Sequence, residues 1–252
     1  MDVTTLRILL IQIRKDPFAL PAEKAGFVSL SGLSDHNFVV LDVFREPDFT
    51  SAILDDFDAF MIGGLSDDPS DSLEIPEYFN PWIDNLFALM KYAIKIKKPG
   101  LLSCGGFMLA SIMLGAEVLI DPDQQELGIY DIFLTDEAQK DPLFAQFPSS
   151  FKAVSGHIKT TNTVPERCSL LAYSRRCGVH GIKVIGAPFY AFQFHPEVRC
   201  ADLQARIKLY KEKYFDKEEA YQQFIDLMDD TSDANRMISK FVELVIKQSK
   251  RK

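Results

Sequence analysis

The stretch GLLSCGGFMLASIML, residues 100–114, passes from apolar residues of strand type into Cys104, then two glycines, then an apolar run of helical type. A strand that turns straight into a helix lifts the residue at the turn above the carboxyl end of a sheet. It also aims a helix N-terminus at that residue, and the positive field there stabilises a thiolate. Cys104 has the form of such a displayed nucleophile, with Gly106 removing a side chain where turn and helix crowd. A buried structural thiol beside a glycine turn accounts for the same letters. In YAFQFHPEV, residues 190–198, alternation along a strand puts His195 and Glu197 on one side if the extended conformation continues through Pro196. A carboxylate on one imidazole nitrogen then leaves the other to face a nucleophile; the competing reading is a proline turn that happens to carry both residues. FDAFMIGG, residues 57–64, ends in Gly63 and Gly64, whose backbone N–H groups can meet a developing negative charge unobstructed, or form a plain turn. Neither glycine pair fits a Walker or dinucleotide pattern, so neither is read as a phosphate cradle.

Elements that could position these residues recur along the chain. Short β-rich runs at 6–13, 37–44, 57–64 and 100–104 are separated by segments long enough for crossovers, which favours a parallel sheet. Between the third and fourth, residues 81–96 open with Pro81 and place Trp82, Leu86, Leu89, Met90 and Ala93 at helical spacing, the pattern of a crossover helix. After Val118 come shorter β candidates at 126–135, 151–156, 169–174, 181–187 and 189–195, broken by turn residues, so some pairing is expected to be antiparallel. Residues 202–215 and 232–246 carry the apolar periodicity of closing helices. The expected fold class is α/β: a mixed, mainly parallel central sheet flanked by helices, flavodoxin-like, in a single domain over 1–252 with a frayed basic tail at 245–252.

Composition bounds the remaining classes. The 252 residues are 47% hydrophobic, enough for a sizeable core, and the formal charge of −8, from 36 acidic and 28 basic residues, opposes a general affinity for nucleic acid. No apolar run approaches the roughly 18 residues of a membrane span, and the N-terminal stretch lacks a small-residue cleavage site, so a cytoplasmic protein with no membrane partner is expected. The four cysteines, Cys104, Cys168, Cys177 and Cys200, form no CxxC pair, which argues against disulfides and against zinc; no metal and no cofactor is expected. Cys168, Cys177 and Cys200 read as structural thiols, His36 and His180 as solvated turn residues, and the acidic cluster DDPSD at 67–71 as a solvated loop.

Taken together, the three stretches resemble the class I glutamine amidotransferase family, particularly members similar to the glutaminase domain of GMP synthase. The family's G-x-C-x-G-x-Q pattern corresponds to LSCGGFM, and QFHPE is intact at 193–197. The stretches at 57–64, 126–148 and 154–174 fit as well, so the resemblance covers about residues 6–244. It implies Cys104 as nucleophile, His195 as acid and base, Glu197 as orienting carboxylate, and an oxyanion hole from the N–H groups of Gly64 and Gly105. It further implies hydrolysis of a γ-carboxamide through a γ-glutamyl thioester.

The departures concern the surroundings of that triad. The family glycine two places before the nucleophile is Leu102, and the glutamine four places after it, which contacts substrate, is Met108. Met108 lacks an amide's donors and acceptor. The family's H-x-D appears as His157, Ile158 and Lys159, which leaves His157 and Met108 as the substrate-binding candidates. Three functions follow: an amidohydrolase acting on glutamine or a γ-glutamyl compound, a glutaminase subunit delivering ammonia to a separate synthetase, or a regulatory protein that keeps the fold without turnover.

Overall fold

The computed structural model describes residues 3–65, 82–209, 211–215 and 217–249; the acidic cluster 67–71 and Pro81 lie outside them. The first apolar runs form β1 (Ile8–Gln12), β2 (Phe38–Asp42), β3 (Ala59–Ile62) and β4 (Gly100–Ser103). The later runs form β5 (Leu119–Ile120), β6 (Glu126–Leu134), β7 (Ser150–His157), β8 (Lys159–Thr160), β9 (Cys168–Tyr173), β10 (Gly181–Val184) and β11 (Phe189–Phe192). Helix α1 (Ala19–Ser31) connects β1 to β2, α2 (Trp82–Ile96) precedes β4, and α3 (Gly105–Met113) follows β4 at once. Then come the short α4 (Asp136–Lys140), α5 (Cys200–Leu209), α6 (Lys211–Tyr214), α7 (Glu218–Asp226) and the closing α8 (Ser232–Ser249).

Nine strands make one sheet in the order β2-β1-β3-β4-β11-β10-β9-β6-β7. The first five pair in parallel, and from β11 onward every neighbour is antiparallel. The expected mixed sheet is therefore split cleanly, into a parallel half and an antiparallel half that extends it. β5 and β8 form a separate two-stranded pair.

Both faces of the parallel half are covered, which is why its strands read as continuous apolar runs rather than alternating ones. In β1, Leu9 and Ile11 join the core beneath α2 with Trp82, Leu86, Leu89 and Met90. Ile8 and Leu10 join the opposite core with Phe27 of α1 and Met237, Ile238, Phe241 and Val245 of α8. Each strand thus feeds two cores. Val245 is buried and α8 runs through Ser249, with apolar residues on one side of the helix and charge on the other. Helical residues stand at 200–209 and 211–214, within the stretch expected to be helical over 202–215. Among the described residues no helix is long and apolar enough to cross a membrane.

Parallel α/β sheets bind ligands beyond the carboxyl ends of their strands. Arg14 follows β1, Gly63 and Gly64 follow β3, Cys104 follows β4 and His195 follows β11, so four neighbouring strands deliver polar groups to one edge.

Candidate active site

Cys104 sits at the N-cap of α3 with φ 44° and ψ −96°, a backbone conformation that costs a non-glycine residue about 1 to 3 kcal/mol. The strain is held from both sides. Cys104 N–H donates to Phe192 O on β11 at 2.8 Å, Gly106 N–H donates to Gly63 O at 3.1 Å, and Met108 N–H bonds back to Cys104 O at 3.0 Å. A Cβ at Gly105 would run into Leu65 and the Gly64 carbonyl carbon, so only glycine lets the elbow lie this close to the end of β3. Leu102, bulky where the family has glycine, is accommodated in register between Ile62 and the small Ala191 and is wholly buried.

His195 does not lie in a strand. β11 ends at Phe192, and the backbone turns through Pro196, with His195 N–H donating to Val154 O at 2.8 Å and Val198 N–H to His195 O at 3.3 Å. The turn nevertheless brings Glu197 Oε1 to 2.7 Å from His195 Nδ1, the pairing that strand alternation anticipated by a different route. Asn235 of α8 clamps this turn from behind, its Nδ2 donating to Pro196 O and Val198 O at 2.9 Å each.

The charges are coupled. Burial by itself would push His195 down, but attraction to Glu197 and Cys104, with hydrogen bonds to both, raises its pKa to about 10. Burial likewise opposes ionisation of Glu197, and its attraction to His195 outweighs that and lowers it. The imidazolium is therefore the resting form, bridging a carboxylate and the nucleophile's sulfur. The other thiols are held protonated: burial pushes Cys168 up to about 11 and raises Cys177, while burial and the nearby Asp230 and Asp229 raise Cys200.

A second buried ion pair flanks these residues, and the sequence reading passed over it. Arg14 Nε lies 2.6 Å from Glu23 Oε2, both side chains almost fully buried, and Gln12 Nε2 donates to Glu23 Oε1 at 3.3 Å. Arg14 also feels Glu197 and Cys104. The space above Gly64 is filled by the Arg14 guanidinium and His195 Cε1. Gly64 N–H, expected to face an oxyanion, donates to Glu23 Oε2 at 3.0 Å in this structure. Gly105 N–H stands in the first turn of α3, where backbone donors have no intrahelical acceptor.

The substrate-binding candidates lie differently from one another. Met108 is one turn beyond Cys104 and packs into the apolar core beneath α2 and α3. Gly156 O accepts from Cys104 Sγ at 3.7 Å, but the next side chain, His157, is buried with Nδ1 3.0 Å from Lys159 O and its ring against His180. Arg14 could have been suspected from its place just after a predicted strand at the carboxyl edge. Glu23 and Asn235 left no local signal.

A profile of the family Glutamine amidotransferase class-I matches residues 38–208. The chain is 31% identical over 144 residues to one of the subunits of the GMP synthase (glutamine-hydrolyzing) of Ignicoccus hospitalis, 57% of this chain and 69% of that protein. It is 35% identical over 106 residues to the same-named protein of Methanococcus maripaludis, 42% of this chain and 54% of the relative, so that match spans about half the relative's length. The fold is similar to that of a glutamine amidotransferase from Thermotoga maritima, with TM-score 0.69, 18% identity and 97% of both chains covered. It is also similar to that of a glutamine amido transferase from Methylobacillus flagellatus, with TM-score 0.71, 18% identity, and 96% and 94% covered.

Proposed function

The chain belongs to the class I glutamine amidotransferase family, and on that premise we propose that it hydrolyses the γ-carboxamide of glutamine or a γ-glutamyl compound through a thioester on Cys104. The observation that carries the proposal is the hydrogen-bonded order Glu197, His195, Cys104 at a strained elbow. The Cys104 thiolate attacks the γ-carbonyl carbon, forming the C–S bond. His195 gives its proton to the departing nitrogen as the C–N bond breaks, then takes a proton from water, which attacks the thioester and releases glutamate and the thiolate. Gly105 N–H is the donor at hand for the oxyanion; Gly64 N–H joins it when the Glu23 carboxylate yields it. Met108 offers thioether packing where a glutamine would hydrogen-bond, which favours a leaving side larger or less polar than ammonia. His157, turned away into its own cluster, is left out of the substrate contacts.

The relatives, each named as one component of a GMP synthase, favour a second reading of the same chemistry, in which ammonia passes to a separate synthetase. A Gly64 N–H occupied until a partner displaces Glu23 would suit that arrangement. Ala191 opposite Leu102 removes the main steric argument for a protein without turnover.

The test is release of ammonia or amine and of glutamate from glutamine, γ-glutamyl peptides and γ-glutamyl amines, with the protein alone and with Cys104→Ser. Turnover by the parent and none by the variant is expected. Absence of turnover on every substrate, or equal turnover by Cys104→Ser, overturns the proposal. Stimulation by a co-purifying synthetase would select the second reading.

A further inference from the structure

We propose that His157, Cys177 and His180 form a binding site for one zinc-class divalent cation, separate from the Cys104 site. His157 closes β7, while Cys177 and His180 lie in the turn between β9 and β10 in the spacing Cys-x-x-His. All three are buried, and one donor atom from each lies within 4.8 Å of the other two. Their outward hydrogen bonds are those that prepare histidine ligands. His180 Nε2 is 2.7 Å from Glu126 Oε2, and His157 Nδ1 is 3.0 Å from Lys159 O. Imidazole N–H groups given to a carboxylate and a carbonyl fix each tautomer and leave the opposite nitrogen carrying a lone pair.

Of those opposite nitrogens, His180 Nδ1 is buried without a hydrogen-bond partner, while His157 Nε2 faces Glu126 Oε2 at 3.5 Å. A buried polar atom left so is costly, and an acceptor of electron pairs at these nitrogens would relieve that cost. Cys177 Sγ makes only thiol-grade contacts, 3.2 Å to Thr160 Oγ1 and 3.6 Å to Val179 O, which a metal-bound thiolate can exchange. Zinc at ordinary bond lengths keeps its donors about 3.3 to 3.8 Å apart, so the widest pair closes by about 1.5 Å at most. Two imidazoles and a thiolate suit zinc over magnesium or calcium.

The ion would pin the β9–β10 turn to the end of β7. That strand supplies Gly156 O to Cys104 and Val154 O to His195 N–H, so the site braces the wall against which Cys104 and His195 are set. A purely hydrogen-bonded network around Glu126, with Ser174 Oγ at 2.5 Å, is the rival outcome.

The test measures metal content of the full chain by elemental mass spectrometry after dialysis against a weak chelator. Cobalt(II) titration of the metal-stripped protein then reads the thiolate-to-cobalt charge-transfer band. About one zinc per chain and a cobalt band are expected in the parent and in Cys104→Ser. Loss of the band in Cys177→Ser and at least about tenfold weaker binding in His180→Gln are expected as well. Where Cys177→Ser does not fold, zinc must protect Cys177 from alkylation in the parent while leaving Cys104 reactive. Metal-free protein with no cobalt band, a band that persists in Cys177→Ser, or no protection of Cys177 overturns the proposal.

Discussion

Replacing Glu197 by glutamine removes one charge from the triad while keeping its size and a hydrogen-bonding group. Glu197 is 2% exposed and its Oε1 is 2.7 Å from His195 Nδ1. Burial alone would depress His195, yet attraction first to Glu197 and then to Cys104 carries it from 6.5 to about 10. A rise of that size corresponds to about 5 kcal/mol of preference for the imidazolium. In Glu197→Gln the largest opposing attraction is gone, burial prevails, and the proton that His195 must deliver to the leaving nitrogen is no longer held at neutral pH. We expect kcat/KM for glutamate release to fall by roughly 10² to 10⁴, and the alkaline limb of the pH profile, near pH 10 in the parent, to move down by about two units or more. His195→Ala should lose more, because both proton transfers pass through the ring. Stability carries the same signature. Since the folded pKa of His195 is raised, its contribution is fully present below about pH 6.5 and is lost as pH rises through about 10. Urea titrations across that window should show a decline in the parent that Glu197→Gln lacks. A variant that keeps its alkaline limb near pH 10 with more than about a tenth of the parent's activity refutes the reasoning.

Glu23→Ala leaves the buried Arg14 without its closest carboxylate, and a loss of about 3 to 5 kcal/mol in urea unfolding is expected; an unchanged midpoint would contradict the pairing. Asn235→Ala removes both donors from the carbonyls of Pro196 and Val198, so stability should drop by about 1 to 3 kcal/mol and kcat should fall more than KM rises. Unaltered thermal unfolding would remove Asn235 from the argument. Met108→Gln should shift selectivity toward glutamine over larger γ-glutamyl compounds by about 1 to 3 kcal/mol in kcat/KM, and unchanged selectivity would mean that this position does not read the substrate.

Strands were legible because β1, β3 and β4 are buried on both faces and therefore read as unbroken apolar runs. The elbow was legible because a glycine pair separates strand from helix with no residues to spare. Helix α1 was not, since of its buried positions, Ala19, Glu23, Gly26, Phe27 and Ser31, all but Phe27 are small or polar and give no apolar stripe. For the same reason the Arg14–Glu23 pair went unread: a buried charge looks like any surface charge until its partner from another element is known. His195 and Glu197 are brought to 2.7 Å by a turn, not by the strand alternation that their spacing suggested. The absence of CxxC pairs hid the Cys177-x-x-His180 spacing, whose third member, His157, is remote in sequence and arrives only through the β6–β7 and β9–β10 pairings.

Treatment with an electrophilic glutamine analogue, followed by peptide mapping, tests the central claim most directly. Cys104 is the thiol beside the imidazolium, while Cys168, Cys177 and Cys200 are held protonated. One adduct per chain, on Cys104, is expected, abolished by Cys104→Ser and slowed at least about a hundredfold by His195→Ala. Labelling chiefly at Cys168, Cys177 or Cys200, or labelling of Cys104 at the same rate in His195→Ala, would contradict it.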